Sequence, residues 1–253
     1  MEGIPNLSGL FIGTSGWSYP HWKEVFYPEN IKPARYLEFY LTRFNCVELN
    51  SCFYHIPRKT TVEGWMQRTP GSFKFSLKLS RFITHQKRLV DCQEPLKRFF
   101  DVFERMRERL GPVLIQIPPG LSCDIPLLAD FLSLLEVEYK HYRFSIEIRH
   151  RSWITDQFFE LLAHHGIAFV IADSNNRFPD YEAVTSDTVY LRLHGPERLY
   201  ASEYNDSSLH RYAEKIIKWL RTDHEVWVFF NNDFNGYAVK NALMLNELVH
   251  SMY

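Results

Sequence analysis

Two carboxylates, a histidine and three long cations recur at one kind of place in this chain, the late polar positions of short apolar runs. FSIEIRH at 144–150 carries Glu147 and Arg149, VYLRLHG at 189–195 carries Arg192 and His194, CVELN at 46–50 carries Glu48 and Asn50, and FKFSLK at 73–78 ends on Lys78. Alternate side chains of an extended chain share a face, so Ser145, Glu147 and Arg149 point away from Phe144, Ile146 and Ile148. A charge in apolar surroundings is costly unless it is paired or used. Used, these types perform acid–base work. Glu147 and Glu48 are the acid/base candidates, Asp173 a further carboxylate, and His194 a proton shuttle. Arg149, Arg192 and Lys78 suit the clamping of phosphate or carboxylate, and Asn50, Gln116 and Asn231 the orienting of hydroxyls. Paired, the same groups are structural, Glu147 with Arg192 being the plainest example.

Loops after the first three runs add candidates. GTSGWSYPHW at 13–22 supplies Ser15, Trp17, Tyr19 and Trp22; SCFYHIPR at 51–58 supplies Tyr54; THQKR at 84–88 supplies His85, Lys87 and Arg88. Aromatics beside polar groups stack on sugars or bases, or else cover a core, which is the expectation for Trp22. His164 and His165 close a helix and suit its negative end.

The elements that must hold these residues alternate. Strand patterns cover 10–15, 46–50, 73–78, 113–118, 144–149, 168–173, 189–195 and 225–231. Helical patterns cover 33–44, 60–69, 94–110, 125–138, 152–166, 207–222 and 236–250. Pro33 suits a first helical turn, Asp124 an N-cap and Gly166 a C-cap. Between the sixth and seventh strands NNRFPDYEAVTSDT shows only a Pro/Asn-rich connection, so a helix there is irregular or reduced. Eight strand–helix units in 253 residues fit one α/β domain, a (β/α)8 TIM-type barrel over 1–253. An open doubly wound sheet would call for a Gly-rich fingerprint, and neither G-x-G-x-x-G nor a Walker A loop is present. With apolar faces turned outward, Ser15, Glu48, Asn50, Lys78, Gln116, Glu147, Arg149, Asp173, Arg192, His194 and Asn231 gather inside near the C-terminal strand ends, where such barrels carry their sites.

Composition narrows the partners. Hydrophobic residues are 45% and aromatics 16%, enough for a large core, while the net charge of -1 argues against a global footprint for nucleic acid or acidic membrane. Cys46, Cys52, Cys92 and Cys123 show no C-x-x-C spacing and read as reduced core residues of a cytoplasmic protein. The N-terminus lacks the basic segment and long apolar run of a signal peptide, and no segment reaches spanning length.

GTSGWSYPHWKEVFYP, FNCVELNSCFYHIP, FKFSLKLSRFITHQKRL, VLIQIPP, EIRHRSW, YLRLHG and VFFNN occur in this order along almost the whole chain. In these stretches the sequence resembles the YecE-like family, domain of unknown function 72. The resemblance implies a TIM-type barrel and no established activity. A looser similarity is to xylose-isomerase-like isomerases and epimerases, which bind a divalent metal through Glu, Asp, His and Glu from strands five to eight. The order here is Glu147, Asp173, His194 and Asn231. That similarity implies a metal at Glu147, Asp173 and His194. It is opposed by Asn231, which is no catalytic base, and by the positive charge of Arg149 and Arg192.

Three functions follow as expectations. One is an enzyme acting on a small polar anion, a sugar phosphate or sugar acid, by isomerase- or hydrolase-like acid/base chemistry. A second is a metal-dependent phosphoesterase or nuclease using Glu147, Asp173 and His194, with Arg58, Lys59, His85, Lys87 and Arg88 along a phosphate backbone. A third is a barrel that binds a ligand without turning it over.

Overall fold

The computed structural model describes residues 7–253. The start of the segment read as lacking a signal peptide, 1–6, lies outside the described residues. All eight expected strands form: β1 Leu10–Thr14, β2 Cys46–Leu49, β3 Lys74–Leu77, β4 Val113–Gln116, β5 Phe144–Glu147, β6 Ala168–Asp173, β7 Thr188–Leu193 and β8 Glu225–Phe230. All pairings between them are parallel, which requires a long crossover between sequential strands. Helices supply most crossovers: α1 Tyr36–Tyr40, α2 Ser51–Tyr54, α3 Lys59–Arg68, α4 Gln93–Phe103, α5 Ile125–Tyr139, α6 Asp156–His164, α7 Asp206–Leu220 and α8 Tyr237–Met252. The one-turn α2 was not legible in the sequence. No helix forms between β6 and β7.

The fold is α/β, with a curled parallel sheet of six strands in the order β1-β8-β7-β6-β5-β4 and a separate parallel pair, β2-β3. The eight strands therefore do not make one continuous ladder. Single bridges join the pair to the sheet at both edges, Ser15 with Glu48 on one side, and Phe75 with Leu110 and Lys78 with Leu114 on the other. At the first seam the backbones approach so closely that a Cβ on Gly13 would lie 2.5 Å from the Cys46 carbonyl oxygen.

Strand alternation divides the apolar residues into two cores. Ile12, Val47, Leu77, Ile115, Ile146 and Leu191 face the helices in the larger one. Cys46, Leu114, Val170, Tyr190, Trp227 and Phe229 form the smaller one on the opposite face. Tyr190 of β7 meets Ser76 of β3 there, at 2.7 Å between hydroxyls, although these strands are not neighbours in either sheet. The curl thus brings distant strands face to face. Toward the N-terminal strand ends Phe11 stacks on Trp227 at 4.0 Å between ring centroids, and Gly111 leaves room for that indole.

Helix ends follow their local chemistry. Asp124 caps α5 by accepting from Leu127 N at 3.0 Å, as its sequence position predicts. Thr155 and Asn205 cap α6 and α7 in the same way. Gly166 takes the left-handed conformation, φ +62°, just after α6. Among the described residues no helix is long and apolar enough to cross a membrane.

Candidate functional site

Glu48, Glu147, Arg192 and His194 project from the inner faces of β2, β5 and β7 and the end of β7. All four are at most 1% exposed. Arg192 grips Glu48 with a two-pronged contact, Nε to Oε2 at 2.9 Å and Nη2 to Oε1 at 2.7 Å. Its remaining nitrogen, Nη1, donates to Glu147 Oε2 at 2.6 Å. Glu48 also accepts from Ser15 Oγ at 2.6 Å and Tyr190 OH at 2.8 Å. Glu147 Oε1 pairs with Arg149 Nη2 at 2.6 Å and lies 3.2 Å from His194 Nε2. Asn231 Nδ2 donates to His194 Nδ1 at 3.1 Å, so a neutral ring with its proton on Nε2 satisfies both contacts. One continuous network runs from Ser15 through Glu48, Arg192, Glu147 and His194 to Asn231.

The electrostatics follow from this crowding. Burial opposes the charged forms of both carboxylates, but the guanidinium groups prevail. Arg192, with hydrogen bonds from it and from Ser15, holds Glu48 below the usual carboxylate range. Arg149 and Arg192 hold Glu147 well below it. Burial lowers His194 to about 4, against the opposing pull of Glu147. Both carboxylates are therefore ionised and the imidazole neutral at pH 7.

Above this floor, toward the C-terminal strand ends, Lys78, Gln116 and Arg149 retain 9%, 9% and 7% exposure. Lys78 Nζ donates to Gln116 Oε1 at 2.7 Å and sits 4.1 Å from the centroid of the Phe53 ring. Arg149 stacks over Phe178 at 3.5 Å, and its buried Nε has no hydrogen-bond partner. His85 lies edge-on to Phe53 at 5.1 Å. Burial, then the positive charges of Lys78, Arg81 and Arg149, lowers it to about 4. Burial also dominates at Lys78, which falls to about 7.

The structure thus brings together Ser15, Glu48, Lys78, Gln116, Glu147, Arg149, Arg192, His194, Asn231 and His85. Asn50 follows β2, with a buried Oδ1 that has no partner. Trp17 packs edge-on against Trp65 of α3 at 5.7 Å, as part of the outer core. Tyr54 is 68% exposed and meets the Phe53 ring edge-on at 4.9 Å between centroids.

Asp173 does not join the cluster, contrary to the expectation from its place at the end of β6. Ala168 and Val170 belong to the inner core, so alternation places Phe169, Ile171 and Asp173 on the other face. Its Oδ2 accepts from Tyr212 OH of α7 at 2.8 Å. The metal set of Glu147, Asp173 and His194 that the isomerase similarity implies is therefore not assembled. Among the described residues no group of three or more His, Cys, Asp or Glu is placed to hold a metal ion.

Sequence reasoning missed Tyr190, Phe53 and Phe178. Tyr190 shares the parity of Arg192 and His194 and could have been found by it. Phe178 lies in the helix-free connection after β6, where no periodicity points to Arg149.

A profile of the family described as "Protein of unknown function DUF72" matches residues 11–253. UPF0759 protein YunF of Bacillus subtilis is 24% identical over 96% of both chains. UPF0759 protein YecE of Escherichia coli is 30% identical over 56% of this chain and 48% of its own. The crystal structure of a DUF72 family protein from Thermotoga maritima superposes with a TM-score of 0.85 at 32% identity, covering 95% of this chain and 98% of that one.

Proposed function

The chain belongs to the DUF72 family, whose description assigns no activity, and on that premise we propose that it is an enzyme for a small, polar, anionic molecule of the sugar phosphate or sugar acid class. Its site is the layer of Lys78, Gln116 and Arg149 at the C-terminal strand ends. We read the two bridged sheets as one (β/α)8 barrel closed at both seams, which makes those strand ends the rim where such barrels work.

The charge inventory carries the reading. Glu48 and Glu147 are matched by Arg192 and Arg149, His194 is neutral, and a protonated Lys78 leaves one surplus positive charge beneath the rim. Arg149 adds a buried N–H without an acceptor. An anion entering between Lys78 and Arg149 would supply the missing charge and the missing acceptor. Glu48 and Glu147 act in this scheme as the floor that orients Arg192 and Arg149. The groups left for proton transfer at the rim are Lys78 and His85.

Calorimetric titration with small sugar phosphates and sugar acids tests this. Binding should weaken as salt rises and disappear in Arg149→Gln. Unchanged affinity in Arg149→Gln, or no binding by any member of either class, would refute it.

A further inference from the structure

We propose, resting on that anion-site reading, that Lys78 is a nucleophilic amine and that the bound anion carries an aldehyde or ketone which Lys78 captures as an imine. Lys78 directly follows β3 and bridges to Leu114 at the seam with β4. Its ammonium position is walled by the Phe53 ring and touches one neutral acceptor, Gln116 Oε1. Both carboxylates of the cluster are engaged by guanidinium groups, and among the described residues none forms an ion pair with Lys78. The charged groups that bear on it are Arg192 from β7, Arg149 and Glu147 from β5 and its end, and Glu48 from β2, with neutral His85 beyond the end of β3.

Two guanidinium groups already balance two carboxylates, so the cluster is electroneutral when Lys78 is the free amine. Burial is the main force in that direction, Arg192 and Arg149 add to it, and Glu147 and Glu48 oppose it. With its pKa lowered to about 7, Lys78 carries a substantial free-amine fraction at pH 7. A lysine in water stays ammonium up to about pH 10.4, so its free fraction at pH 7 is far smaller. Desolvated lysines of this kind are the ones used for Schiff-base chemistry.

The step balances as follows. The Nζ lone pair forms a bond to the carbonyl carbon, and the carbonyl π pair moves onto oxygen, which takes a proton. The carbinolamine hydroxyl takes a second proton, from solvent at the rim, and leaves as water. The nitrogen has then given up one of its two protons and carries the iminium charge. Arg149 holds the anionic group while the iminium withdraws electrons from the adjacent bond. Water returns to release the product and the amine.

Reductive trapping tests the assignment on the whole chain. The protein is incubated with cyanoborohydride and either glyoxylate, an anionic aldehyde, or glycolaldehyde, a neutral one, and adducts are mapped by peptide mass spectrometry. Lys78 should be labelled at least a hundredfold faster than surface lysines at pH 7, with a labelling midpoint near pH 7. Lys78→Met, which replaces a buried cation by an apolar chain of similar length, should fold and lose the adduct. Glyoxylate should exceed glycolaldehyde by tenfold or more, and that ratio should fall toward one in Arg149→Gln. If Lys78 is labelled equally by both aldehydes and Arg149→Gln leaves the ratio unchanged, the amine stands and the anion site falls. If Lys78 is no more reactive than surface lysines toward either aldehyde, the imine assignment is overturned, whatever anions the protein binds.

Discussion

Replacing Arg192 by Met removes the one side chain that joins both buried carboxylates. Glu147 keeps Arg149 at 2.6 Å and His194 at 3.2 Å. Glu48 keeps only the hydroxyls of Ser15 and Tyr190 and loses its two-pronged guanidinium. The penalty therefore falls mainly on Glu48, and stranding one member of a buried pair costs about 3–5 kcal/mol. Protonation sets a ceiling on it. Placing a proton on a carboxyl with the ordinary pKa of 4.5 costs about 4 kcal/mol at pH 7.5, and Glu48 will take that route once isolation costs more. The ceiling drops by about 1.4 kcal/mol for each pH unit below that. Urea denaturation of wild type and Arg192→Met at pH 7.5 and 5.5 should give a deficit of about 3–4 kcal/mol at the higher pH. The lower pH should give a clearly smaller one. Adding Glu48→Gln should restore much of the loss, because the carboxamide carries no charge. A deficit under about 1 kcal/mol, or one that does not shrink in acid, would refute the claim that this pair is buried and ionised.

Other outcomes follow from the same geometry. His194 is held neutral in the fold, so its contribution to stability is complete above its unfolded pKa of 6.5 and is lost as pH falls toward about 4. That window is worth about 3 kcal/mol at most, and His194→Gln should flatten the stability profile across it; an unchanged slope counts against a buried neutral imidazole. Asp173→Asn should leave anion binding unaltered and weaken the contact of β6 with Tyr212 by about 1 kcal/mol, measured as a small fall in denaturation midpoint. A loss of anion binding would return Asp173 to the site. Gly111→Ala would place a Cβ 2.3 Å from the Trp227 ring, so its thermal midpoint should fall by several degrees and its indole fluorescence should shift. An unperturbed spectrum would show that the indole does not fill that space.

Much of this was legible in the sequence because it depends on local chemistry. Eight runs of β-branched and aromatic residues, separated by amphipathic stretches, fix strands and helices of a parallel α/β fold whatever the tertiary details. Asp124 before Ile125 and Pro126 is a cap by its own side chain, and Gly166 ends α6 because it tolerates positive φ. Glu147, Arg149, Arg192 and His194 could be found because charge within an apolar run is too costly to be incidental.

Only the tertiary structure decided which of these polar residues meet and which stay accessible. AFVIAD is apolar on both faces, as a strand buried on both sides must be, so its sequence does not reveal that Asp173 faces α7 while Val170 faces inward. Arg192 meets Glu48 across 144 residues of chain because the sheet curls, and no spacing rule encodes that distance. Glu48 and Glu147, the acid–base candidates, lie fully buried with guanidinium and hydroxyl partners drawn from distant strands. Lys78 lies near the C-terminal strand ends without an ion-pair partner among the described residues. The physical reason is that an ion pair depends on charges brought within a few ångströms at a given depth, and depth is a property of the packed molecule alone.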